Sequence, residues 1–91
     1  MAFFTGRILS EDGSIIVEQS EIWISLFRFG TQEHWEGSFE TPAAPALNAL
    51  VYRLHLADGR EGTITRITRW IKGENIMVCF QGIGPLTAGV S

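Results

Sequence analysis

The sequence predicts an all-β fold, a small antiparallel β-barrel or two-sheet sandwich of six to seven strands. Three observations lead there. Short runs rich in Ile, Val, Phe, Trp and Thr recur along the chain, separated by Gly, Asp and Asn, the punctuation of strands and turns. No segment of useful length repeats its apolar residues at helical spacing. The 91 residues are 45% hydrophobic with three Trp and six Phe, enough apolar bulk to exclude a disordered chain and to fill one modest core. Length allows a single domain over residues 1–91, with 81–91 as an extended C-terminal tail.

Strands are predicted near 3–9, 14–18, 22–29, 35–40, 50–57, 61–68 and 75–81. The first two are joined by "LSEDGSI", a turn built on Asp-Gly. A three-residue loop there sets Leu9 opposite Ile15 and Arg7 opposite Val17. The third run, "EIWISLFRF", is apolar on both faces, with Ile22, Ile24 and Leu26 on one and Trp23, Phe27 and Phe29 on the other. A strand covered on one side alternates with polar residues, so this one is expected to be covered twice. A sheet would cover one side, and a loop, the tail or a second subunit the other. The fourth run, "HWEGSFE", alternates cleanly: Trp35 and Phe39 inward, His34, Glu36, Ser38 and Glu40 outward.

"TPAAPALNAL", residues 41–50, carries two prolines that disfavour a central strand, and reads as a crossover connection with room for one short helical turn. The next two runs form the hairpin "YRLHLADGREGTITRI". A two-residue turn at Asp58-Gly59 would mix apolar with polar across the strands. A three-residue loop at Ala57-Asp58-Gly59 sorts them: Tyr52 faces Ile64, Leu54 faces Gly62, His55 faces Glu61 and Arg53 faces Thr63. The last run holds Cys79 within "IMVCF", expected to pack as a small buried hydrophobe. "QGIGPLTAGVS" is uncharged and its Gly and Pro stop a strand; it either frays or lies across an apolar surface such as the second face of the Trp23 strand.

Composition excludes several function classes. One cysteine cannot make an internal disulfide, so a secreted disulfide scaffold is excluded. "MAFFTGR" lacks the charged and apolar regions of a signal peptide, and no run nears 18 apolar residues, so the expectation is a cytoplasmic protein that spans no membrane. Net charge is −3 and uneven: residues 1–40 hold seven acidic and two basic groups, a balance of −5, and residues 41–91 hold three and five, a balance of +2.

No catalytic, cofactor-binding or metal-ligating residue is assigned. His34 shares a strand face with Glu36, yet no third ligand or nucleophile stands near in sequence. "GIGPL" follows a strand without the helix and Lys of a phosphate loop. Ranked first is a non-enzymatic module acting through protein contacts, self-associating as a homodimer, with Arg53, His55, Glu61, Arg66, Arg69 and Trp70 as its candidate surface. Second is a small-molecule barrel whose pocket, lined by Trp23, Phe27, Trp35, Phe39 and Tyr52, takes apolar or cationic ligands. Nucleic-acid binding through the 53–72 basic face ranks below, because strand alternation puts Arg66 and Trp70 on one side and Arg69 on the other, and because the chain is acidic. An enzyme using His34 with Glu36 ranks last. The general look is that of small bacterial-type β-barrels, a likeness of shape that carries no function.

Overall fold

A computed structural model describes residues 2–42 and 48–88. It contains six strands: β1 (Ala2–Leu9), β2 (Ile15–Phe29), β3 (Gln32–Thr41), β4 (Val51–Leu56), β5 (Arg60–Lys72) and β6 (Asn75–Ala88). They close into one antiparallel barrel in the order β1-β2-β3-β6-β5-β4. Two three-stranded meanders, β1–β3 and β4–β6, are therefore zipped together along two seams, β1 with β4 and β3 with β6. Closure leaves no edge along the shared length of the wall, which is how a small sheet protects itself from other chains.

The predicted second and third strands are one. β2 runs unbroken through Gln19, Ser20 and Glu21, and takes up the irregularity as two register shifts against β1, between Gly6 and Ile8 and between Ile8 and Leu9. Leu9 meets Ile15 as the turn requires, but Ile8 rather than Arg7 pairs with Val17. The extra β2 residue between the Gly6 and Ile8 pairs turns Ile8 and Val17 inward together and leaves Arg7 outside beside His55.

The second hairpin has the predicted register: Tyr52↔Ile64, Arg53↔Thr63, Leu54↔Gly62 and His55↔Glu61. Gly59 has a φ of 97°, the left-handed conformation its place in a three-residue loop demands. Of the 41–50 connection, where a short helical turn is expected, residues 41, 42 and 48–50 are not helical and 43–47 lie outside the described residues. The end of that connection is tied down by Thr65, whose Oγ1 donates to the Leu50 carbonyl at 2.7 Å, and by Tyr52, whose hydroxyl accepts from the Ala49 N–H at 2.8 Å.

The core draws on both meanders, with Ile8, Val17, Ile22, Ile24, Trp35 and Phe39 meeting Tyr52, Leu54, Leu56, Ile64, Val78 and Phe80. Trp35 is its pivot. From β3 its indole crosses the barrel onto Gly62 of β5 and Gly82 of β6, and its Nε1 donates to the Gly84 carbonyl at 2.8 Å. A buried indole N–H needs such a partner.

Two expectations for the C-terminal residues are corrected. Described as far as residue 88, the segment neither frays nor covers Trp23. It continues β6 along β5, from Thr63↔Ile83 to Arg60↔Ala88. Gly84, at φ 68°, and Pro85 are absorbed in a bulge where two more residues lie on β6 than on β5 between those pairs, so the missing proline N–H costs no ladder bond. Cys79 is also displaced from the core: Val78 and Phe80 point inward, and the half-buried thiol lies on the outer face between Ser38 and Thr68.

Candidate functional site

The β4–β5 hairpin brings together three of the six candidate surface residues. His55 Nε2 lies 2.9 Å from Glu61 Oε1, and Arg53 Nη2 lies 3.7 Å from the same oxygen. Arg53 Nη1 also donates to Thr63 Oγ1 at 3.2 Å. At the loop, Asp58 accepts from the Arg60 backbone N–H at 3.0 Å and from Arg60 Nε at 2.9 Å. The backbone N–H of Arg60, followed by its guanidinium, holds the Asp58 carboxyl below its ordinary pKa. The Arg60 guanidinium in turn sits 4.5 Å over the Phe4 ring. Exposed pairs of this kind contribute up to about 1 kcal/mol each. The face is satisfied by its own charges.

Arg66, Arg69 and Trp70 lie apart from that cluster, on the stretch of β5 beyond the last β4 pair at Val51↔Thr65. Alternation is broken there by a bulge between Thr65 and Thr68, with Arg66 left-handed at φ 52°. Ile67 thereby joins Ile64 against the core, and Arg66 stays exposed. Beyond the bulge Arg69 pairs with Val78 and Trp70 with Met77, neighbours in β6 that face opposite sides. No single platform unites the three.

The five candidate pocket residues also divide. Trp35, Phe39 and Tyr52 are core, at most 3% exposed. Trp23 and Phe27 lie on the outside of β2, 45% and 38% exposed. The barrel interior is filled by side chains, and the second cover expected for β2 is absent from this chain's described residues.

The outer wall around Trp23 has a defined structure. Pairing aligns Phe3, Trp23, Ser38, Cys79 and Thr68 in one row across five strands. Phe3 meets Trp23 edge-on with ring centroids 4.3 Å apart. On one side of Trp23 is a hollow of about 390 Å³ bounded by Phe3, Glu21, Glu40, Lys72 and Met77. On the other is a hollow of about 190 Å³ bounded by Ser25, Glu36, Gly37 and Cys79. Lys72 Nζ lies 2.7 Å from Glu40 Oε1, and Asn75 donates to the other carboxylate oxygen at 3.1 Å. Those contacts, Lys72 foremost, lower the Glu40 pKa. Burial, with Glu36 nearby, raises that of the Cys79 thiol. Alternation separated Trp23 from Ile22 and Ile24 but, in a strand apolar on both faces, did not say which side faced out. Phe3, Glu21, Glu40, Lys72 and Met77 were not legible as its neighbours, because only strand order brings them beside it.

Beyond this wall the β2–β3 hairpin projects as an arm. β1 pairs with β2 only as far as Ile24, and β6 with β3 only from Glu36 onward, so residues 25–35 lack outer partners among the described residues. The arm carries Leu26, Phe27 and Phe29, the last 69% exposed. His34 stacks on Phe27 at 5.8 Å and meets Phe29 at 5.4 Å. It makes no hydrogen bond to Glu36, whose carboxylate borders the Trp23 hollow. Where the arm parts from β5 and β6 lies an open groove of about 870 Å³, bounded by Gln32, His34, Arg66, Gln81, Ile83 and Pro85.

Among the described residues, no three His, Cys, Asp or Glu side chains gather closely enough to hold a metal ion, and no helix is long and apolar enough to cross a membrane. Comparison with protein-family models, curated proteins and solved structures finds no match to this chain.

Proposed function

We propose that the protein is a non-enzymatic interaction module that forms a homodimer through the β2–β3 arm. The observation that supports it is the edge of β2 at residues 25–29, unpaired among the described residues, with Phe27 and Phe29 exposed beside it. An exposed apolar edge is a template for another strand. A second copy supplies an identical edge, so β2 pairing antiparallel with β2 of the partner continues the sheet across a two-fold axis and shelters both Phe pairs. The same contact would provide the second cover that the two-faced β2 strand calls for. The lone cysteine suits a reducing compartment, and we place the protein's action in the cytoplasm on that ground.

Sedimentation velocity across micromolar concentrations tests the dimer. The protein is expected to sediment as a dimer, and Phe27→Ser/Phe29→Ser as a folded monomer. A monomeric wild type at the highest concentration, or a dimer indifferent to the double substitution, would refute the reading.

A further inference from the structure

We infer that the outer wall centred on Trp23 docks an extended basic peptide, with arginines at alternate positions meeting Glu21, the Trp23 ring and Glu36. The wall's carboxylates come from the acidic meander, and not all of them are used up internally. Glu40 is bound by Lys72 and Asn75, whereas Glu21 and Glu36 have no cationic partner among the described residues. Trp23 stands between them, 45% exposed and met at a near-right angle by Phe3, so part of the indole is open to a cation. Lys72 shows that the larger hollow accommodates an alkylammonium against a carboxylate.

Spacing selects an extended ligand. Glu36 of β3 pairs with Ser25, so Glu21 and Glu36 are offset by four residues along the strand direction, about 13 Å, and by one strand spacing of about 5 Å across it, with Trp23 midway along. A peptide in extended conformation advances at the same rate and turns alternate side chains to one face. Its residues i, i+2 and i+4 then reach Glu21, Trp23 and Glu36 when it runs slightly obliquely from β2 towards β3. The acidic wall repels phosphate, which disfavours nucleic acid and anionic lipid. The hairpin face of a second copy is a poor occupant, since its Arg53 and Arg60 are already paired with Glu61 and Asp58.

The test is a titration of the Trp70→Phe protein, in which Trp23 is the exposed fluorophore, with acetyl-Gly-Arg-Gly-Arg-Gly-Arg-Gly-amide. A saturable change in emission that weakens with added salt is expected, with none from the peptide carrying Glu in place of Arg. Glu21→Gln/Glu36→Gln is expected to weaken binding about tenfold, the combined effect of two exposed charge pairs. Trp23→Ala, followed by calorimetry, is expected to weaken it further. The same affinity is expected in Phe27→Ser/Phe29→Ser, which separates this wall from the dimer contact. Absence of saturable binding, equal binding of the Glu peptide, affinity unchanged by the carboxylate substitutions, or loss of binding in the arm variant would each overturn the inference.

Discussion

At the residue scale the barrel depends on Trp35 and on what is missing opposite it. A Cβ on Gly82 would fall 1.9 Å from Trp35 Cε2, and one on Gly62 would fall 2.7 Å from Cζ2. The indole cannot move aside without giving up its bond to Gly84. Gly82→Ala is therefore expected to destabilise the fold by at least about 2 kcal/mol through overpacking, measured as a lower urea midpoint. An unchanged midpoint would show that the indole does not occupy this slot. Trp35's inward side was legible from the alternation of "HWEGSFE"; the glycine slot was not, because it joins residues on three strands. Asp12, in the first loop, accepts from the Ser10 hydroxyl and from the Ser14 N–H at 3.0 Å. The Ser10 bond foremost lowers its pKa from 3.8 to about 2. A carboxyl depressed in the folded state stabilises that state above its unfolded pKa, and the contribution is lost as pH falls through the folded value. The Asp12 carboxyl is accordingly expected to titrate by NMR near pH 2, and in Ser10→Ala its midpoint should return towards the ordinary value.

At the scale of elements, the register of the Asp58-Gly59 hairpin was legible because turn length and face sorting agreed, whereas that of the Asp12-Gly13 hairpin held only at Leu9↔Ile15. β5 as a whole was not legible, since strict alternation carried through Arg66 puts Ile64 and Ile67 on opposite faces. A spacing of three between two core residues in a strand requires an extra residue, and the bulge supplies it at Arg66. A left-handed conformation costs a non-glycine residue about 1–2 kcal/mol, while glycine in its place adds about 0.5–1 kcal/mol of unfolded-chain entropy. Arg66→Gly is thus expected to leave the denaturation midpoint unchanged or slightly raised. Arg66→Val, β-branched at the same φ, should lower stability by more than about 1 kcal/mol. If the two variants behave alike, the bulge is not where the structure puts it. The merging of the predicted second and third strands has a related origin: polar Gln19, Ser20 and Glu21 read as a break, yet a strand in a barrel wall can carry polar residues wherever its outer face meets solvent.

At the scale of the molecule, closure converts a charge difference along the chain into one across space. The meander β1–β3 bears the −5 balance of residues 1–40, and the meander β4–β6 bears most of the basic groups. Their inner faces form one core, so neither half has a hydrophobic interior of its own. Their outer faces differ: Arg53, His55 and Glu61 satisfy one another, while Glu21 and Glu36 flank an open tryptophan. The surface that looked promising in sequence is the self-contained one.

By itself the sequence determined the all-β class, the register of the β4–β5 hairpin, the inward Trp35 and Phe39, and the two-faced apolar character of β2. Each follows from local periodicity or turn chemistry, which act over a few residues. Only the tertiary structure decided barrel over sandwich, the place of residues 81–88 in the wall, the outward position of Cys79, and the company Trp23 keeps. Those outcomes depend on which strands become neighbours and where bulges shift their pairing. Both are set by packing one shared core from residues far apart in the chain.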